Sequence, residues 1–197
     1  MTFLLGLTGS IGMGKSTTAA MFADEGCAVW DADAAVHRLY AKGGAAVQPM
    51  AKAFPHAVQN QVVDREMLKS MIASDKGALR RIETIVHPLV ARDRGDFIRE
   101  ATADVVVLDI PLLFETGAES QMDAVACVEI AADVQRQRVL ERGTMTETQF
   151  DQILMRQMPN ADKCANADFV IVTDTIDHTR AQVQDVVRQI RKELVHA

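Results

Sequence analysis

The residues best suited to chemistry lie near the start of the chain, where Gly9, Gly14, Lys15 and Ser16 stand in the spacing Gly-x-x-x-x-Gly-Lys-Ser. That is the pattern of a loop that cradles phosphates, met without a mismatch. Its chemistry is anion binding. Consecutive backbone N–H groups turn inward around an oxyanion, and the positive end of a following helix adds to the attraction. Glycine permits the dihedrals and leaves room for phosphate oxygens. In such a loop Lys15 reaches the β- and γ-phosphates of a nucleoside triphosphate, and the Ser16 hydroxyl ligates Mg2+. A glycine-rich turn beside an exposed lysine is the bland alternative. The flanking segments weigh against it: Phe3-Leu4-Leu5 with Leu7 can form a buried strand before the loop, and Thr17 to Ala23 can continue as a helix after it.

Three further sets of residues could act on a bound phosphate. Asp31 and Asp33 follow the apolar run Cys27–Trp30, at the carboxyl end of a strand, where open α/β sheets collect ligands. One of them could accept a proton from an attacking hydroxyl or hold Mg2+ through water. The other reading of Asp33 is a helix N-cap, although Val36 supplies no reciprocal capping partner; Asp31 can simply orient the turn. Asp109 ends the run Asp104–Asp109, where it is either a second carboxylate for Mg2+ or a strand-end group satisfied by backbone N–H donors. Leu112-Leu113-Phe114, after Pro111, suits an adenine, a pantetheine arm or the core. Arg136, Arg138 and Arg142 fall on one helical segment and Arg156 on the next, as a phosphate-clamping lid would have them. Against the lid stands a solvated helix face, with Glu141 as ion partner.

The elements that must position these groups alternate. Asp123–Ile130 and Asp168–Val172 add two more strand-like runs, helical segments separate most of the five, and the order implies a parallel sheet wrapped on both faces. The exception is the connection from about Asp33 to Ala103, too long for one crossover helix. Within it, residues 65–72 and 79–86 look amphipathic, and His87-Pro88 reads as a helix restart because proline disfavours helical backbone just before itself. Residues 179–194 form a packing helix.

At 197 residues, 48% of them hydrophobic and 24% charged, the chain suits one substantial core with a small inserted subdomain. A net charge of −6 argues against a large nucleic-acid surface. No apolar run is long enough for a membrane span and no signal segment opens the chain, so a cytoplasmic protein is expected. Cys27, Cys127 and Cys164 show no metal or redox spacing and read as reduced thiols in or near the core.

The pieces in this order resemble the dephospho-CoA kinase family over nearly the whole chain. The resemblance rests on Gly6 to Thr17, Asp31-Ala32-Asp33, Asp64 to Leu68, His87-Pro88-Leu89, Pro111 to Glu115, Gln135 to Arg138 with Arg142, and Ala167 to Ile171. It implies a P-loop three-layer α/β fold with a five-stranded parallel sheet in a single domain. A helical CoA-binding insertion would span about 34–102 and a lid about 136–165. It implies ATP and Mg2+ as cofactors, with the phosphates on Gly12, Met13, Gly14, Lys15, Ser16 and Thr17. Asp33 would be the base for the ribose 3′-hydroxyl of dephospho-CoA, Arg142 the lid arginine and Lys15 its partner in catalysis. Arg65, His87 and Leu113 would contact the acceptor, and Ser16 and Asp109 the metal. A monomer or weak homo-oligomer is expected. The sequence departs from the family at Ser10 and Met13 in the loop, at Phe54-Pro55 and Asn60-Gln61 in the insertion, and near Thr173-Asp174 after the last strand.

Overall fold

A computed structural model describes residues 2–196. β1 (Phe3–Thr8), α1 (Lys15–Asp24) and β2 (Ala28–Asp31) open the chain. They are followed by α2 (Ala32–Tyr40), α3 (Val47–Ala53), β3 (Val58–Gln59), β4 (Val62–Val63), α4 (Arg65–Ser74) and α5 (Ala78–Glu100). The remainder runs β5 (Val105–Asp109), β6 (Ala124–Glu129), α6 (Ala132–Glu141), α7 (Glu147–Leu154), α8 (Asn160–Ala165), β7 (Phe169–Val172) and α9 (Ile176–His196). The chain divides into two compact units, one running to Trp30 and resuming at Ala101, the other Asp31–Glu100.

The first unit is built on a five-stranded sheet in the order β2-β5-β1-β6-β7. β1 pairs in parallel with β5 and β6, and β6 with β7. All five residues of β5 are buried, as befits a strand covered on both faces. Met21 and Phe22 of α1 and Val183, Val187 and Ile190 of α9 share one apolar cluster with Leu5, Leu7, Val107 and Ile171 of the sheet. Two of the carboxylates that bound the strands have a structural use: each accepts an N–H near the start of a neighbouring strand. Asp123 Oδ2 lies 2.7 Å from Leu4 N, and Asp168 Oδ2 lies 2.8 Å from Val125 N. Asp104 instead pairs with Arg191 at 2.8 Å, tying α9 to the start of β5.

The second unit has its own core, with Leu39, Tyr40, Met50, Phe54, Leu68, Ile82 and Val86 buried together. Its bounds place Asp31 and Asp33 in the helical unit rather than before it. The restart expected at Pro88 does not occur, since α5 continues through it. Leu89 and Val90 prolong the apolar stripe of Ile82 and Val86, and packing along that stripe outweighs the hydrogen bond that proline cannot make. β3 and β4, too short to stand out in the sequence, form a hairpin in which Val58 faces Val63. Its turn residues, Asn60 and Gln61, have φ of 49° and 63°, the left-handed pair a two-residue hairpin needs.

Candidate functional site

The loop after β1 leads into a helix start that no side chain caps. Gly14 caps α1 at φ 91°, no side chain caps the helix, and its first turn holds no acidic residue. The N–H groups and the positive helix end therefore lack a compensating anion from the protein's own cap. The loop is also closely packed from behind. A Cβ on Gly12, at φ 80°, would lie 2.4 Å from Val139 Cγ2, and one on Gly14 would lie 2.9 Å from Thr173 Oγ1. Four side chains hold the loop's backbone. Asn160 Oδ1 accepts from Ser10 N at 2.9 Å and Gln157 Oε1 from Ile11 N at 3.2 Å. Gln135 Nε2 donates to Ile11 O at 2.6 Å, and Thr173 Oγ1 to Met13 O at 2.8 Å. Met13 is itself a core residue, so the family's serine is replaced by a side chain that packs inward and leaves only its main chain for a ligand. Ser16 and Thr17 are exposed.

Lys15 Nζ is ion-paired with Asp109 Oδ1. Asp109 is 1% exposed, and a carboxylate so buried needs a counter-charge. The loop lysine supplies it.

A cavity of about 430 Å³ opens beside Gly14 and Thr17, lined by Arg138, Arg142, Asp174 and Ile176 among others. The arginines divide around it. Arg138 donates to Thr173 O at 2.7 Å and to Thr173 Oγ1 at 3.2 Å, fixing the turn after β7. Arg136 joins α6 to α7 through Glu147 at 2.6 Å and Asp151 at 2.8 Å, with its guanidinium over the Phe150 ring. Arg142 and Arg156 are exposed and have no protein partner among the described residues. Glu141 is held by Gln137 at 2.7 Å rather than by an arginine.

In the helical unit, Asp31 takes the capping role: its side chain accepts from Ala34 N at 2.9 Å. Asp33 lies in the first turn of α2, exposed, with no side-chain partner among the described residues. The two carboxylates are thereby sorted, one to structure and one left open to solvent. Asp64 caps α4 through Glu66 N and Met67 N, which presents the exposed Arg65 at the helix start. Burial pushes the Tyr40 phenol up, and the charge of Arg65 opposes it. His87 is exposed on α5. Leu113 differs from these exposed groups. It is fully buried, and a Cβ on Gly6 would lie 3.0 Å from its Cδ2, so it packs in the core, while its neighbour Leu112 is exposed.

Sequence reasoning missed the residues behind the loop. Gln157 and Asn160 carry no motif of their own, and only the Lys15-bearing loop could have suggested that something must hold Ser10 and Ile11. It also missed Lys163, which is fully buried and lies 2.8 Å from both Glu115 Oε1 and Pro111 O.

Residues 3–178 match the family model described as dephospho-CoA kinase. A dephospho-CoA kinase of Ruegeria pomeroyi is 69% identical over 197 residues, covering all of both chains. One from Cereibacter sphaeroides is 56% identical over 190 residues, 96% of each. A crystal structure from Thermus thermophilus superposes with a TM-score of 0.86 at 29% identity, covering 95% of this chain and 97% of its own.

Proposed function

The chain belongs to the dephospho-CoA kinase family and is an ATP-dependent kinase that phosphorylates the ribose 3′-hydroxyl of dephospho-CoA; we propose that Asp33, Lys15 and Arg142 carry the transfer. The observation that carries this reading is the glycine loop before α1, whose uncapped helix end is free of acidic residues and whose lysine is held at a buried carboxylate. That arrangement fits a triphosphate, with its phosphates on the main chain of Gly12 to Thr17 and its base in the cavity beside Arg138. Ser16 and Asp109 would hold Mg2+, a divalent charge that neutralises the phosphate oxygens as the bond to the leaving group breaks.

The residues divide the work. Lys15, ion-paired with Asp109, would turn to the β- and γ-phosphates of a triphosphate as the stronger anion, and Asp109 would then be one of the residues to hold the cation. The Asp33 carboxylate takes the proton of the ribose 3′-hydroxyl as its oxygen bonds to the γ-phosphorus and ADP departs. Having no side-chain partner, that carboxylate need break no ion pair to do so. Arg142, exposed and uncommitted at the rim of the cavity, closes over the nucleotide and helps exclude water, which would otherwise hydrolyse it. Arg65 and His87, both exposed on the helical unit, are the cationic and polar groups for the acceptor. A cytoplasmic location, and a monomer or weakly associating oligomer, belong to the same reading.

The test is ADP release with Mg-ATP and dephospho-CoA, AMP or no acceptor. Stimulation by dephospho-CoA alone, with one phosphate added to it by mass, is expected. Equal release in all three would mean hydrolysis and would overturn the reading.

A further inference from the structure

Two cysteines that are far apart in sequence meet behind the phosphate loop. Cys127 lies on β6 and is fully buried; Cys164 lies on α8 and is half-buried. Both are free thiols, and their sulfurs are 3.2 Å apart. A disulfide needs about 2.0 Å, so closure asks the two sulfurs to approach by roughly 1 Å. Asn160 lies beside the pair. Its Nδ2 donates to Cys164 Sγ at 3.5 Å and to Val128 O at 3.1 Å, while its Oδ1 holds Ser10 N of the phosphate loop at 2.9 Å.

We infer that Cys127 and Cys164 are an oxidisable pair, closed to a disulfide by a small hydroperoxide, and that closure loosens the grip of Asn160 on the phosphate loop. Exposure assigns the roles. Cys164 is the thiol a peroxide can reach, and Cys127, fully buried, resolves. In the first step the Cys164 thiol loses its proton, the thiolate attacks the peroxide, the O–O bond breaks, and the departing oxygen takes up that proton, giving a sulfenic acid and an alcohol (water, from hydrogen peroxide). In the second, Cys127 sulfur attacks Cys164 sulfur, the S–O bond breaks, and hydroxide leaves with the Cys127 proton as water. The two sulfurs have lost two electrons and the peroxide bond has gained them. Burial raises both thiols above their ordinary values, with the hydrogen bond between the two sulfurs working the other way at Cys164. The thiolate is therefore scarce at neutral pH, and the reaction is slow there and quickens with alkali. Closure commits Cys164 Sγ to a covalent bond and draws α8 toward β6, which disturbs Asn160 and so the backbone at Ser10.

The experiment treats the reduced full chain with hydrogen peroxide and follows intact mass, digest mass and the ATP KM. A loss of about 2 Da, one linked peptide pair holding Cys127 and Cys164 with Cys27 untouched, and a several-fold rise in KM reversed by dithiothreitol are expected. Cys127→Ser should instead gain about 16 Da as a sulfenic acid that dimedone traps. A sulfinic acid at Cys164 in the unaltered chain, or a bridge to Cys27, would overturn the pairing. A bridge with unchanged KM would overturn its coupling to the loop. The mass readouts need no turnover, so they stand apart from the assignment of the kinase reaction.

Discussion

Lys163 Nζ, without any solvent exposure, sits 2.8 Å from Glu115 Oε1 and 2.8 Å from Pro111 O. It joins α8 to the segment that leaves β5, and Glu115 Oε1 also accepts from Met158 N at 2.8 Å. Because Gln157 and Asn160 hold Ile11 and Ser10, one short stretch of chain braces both the phosphate loop and the segment after Asp109. Glu115→Leu leaves the fully buried Lys163 without its anion, and such a loss costs about 3 kcal/mol or more. Urea denaturation should show that loss, and Lys163→Met with Glu115→Leu should recover most of it. A double variant as unstable as the single one would show that the pairing is not what holds this region.

The same pair sets an acid limit. Burial alone would raise the Glu115 carboxyl, but hydrogen bonds from Lys163 and Met158 N, with the lysine charge, outweigh it and hold the group below the usual carboxylate range. A carboxyl held low in the folded state contributes stability that is present above its unfolded value and lost as pH falls through its folded one. Between about pH 5 and pH 3 the unaltered chain should lose stability more steeply than Glu115→Gln. Equal slopes in urea midpoints across that range would remove Glu115 from the acid response.

Much of this was legible in the sequence because the signals are local. Gly9 to Ser16 names its own chemistry, and the β-branched runs at Val105–Leu108 and Val125–Val128 can hardly be anything but buried strands. Contacts between distant segments left no such mark. Asp31 and Asp33 look alike in sequence, and only the hydrogen bond to Ala34 N separates the cap from the open carboxylate. Leu112 and Leu113 likewise differ only in which one the sheet covers. Pro88 misleads because a local preference is read without the stripe of Ile82, Val86 and Leu89 that overrides it.

The hairpin between β3 and β4 yields a stability test away from the chemistry. Gln61 at φ 63° holds a conformation that costs an ordinary residue about 1–2 kcal/mol, whereas asparagine at position 60 tolerates it better. Gln61→Gly removes that strain but adds about 0.5–1 kcal/mol of unfolded-state entropy. A net gain of about 0.5 kcal/mol is expected, read from the urea midpoint with turnover unchanged. A loss would mean that the Gln61 side chain contributes contacts worth more than the strain.

Arg136 and Arg142 lie six residues apart and should fail differently. Arg136→Ala breaks two ion pairs and a ring contact that join α6 to α7, so a stability loss of about 1 kcal/mol should accompany any change in rate. Arg142→Ala removes a group with no protein partner among the described residues, so the melting temperature should stay put. Its effect should appear as at least a roughly tenfold fall in kcat/KM for ATP, with more ADP released per phosphate transferred because water is less well excluded. Unchanged transfer in Arg142→Ala would pass the lid role to Arg156.

Asp31 and Asp33 give the sharpest separation of structure from chemistry. Asp31→Ala removes the side-chain cap on Ala34 N and should cost about 1 kcal/mol, while Asp31→Asn, an equally good cap, should cost almost nothing. Asp33→Asn should do the reverse. The residue is exposed and unpaired, so folding changes little apart from a few tenths of a kcal/mol from the helix dipole. Its kcat should fall by roughly a hundredfold or more, since an amide cannot take the hydroxyl proton. ATP binding, which rests on the loop and Lys15, should survive, and so a fluorescent ATP analogue titrated into both variants completes the comparison. If Asp33→Asn turned over normally, the proton would have to go elsewhere, and Asp31 would be the carboxylate to examine next through its alanine and asparagine forms.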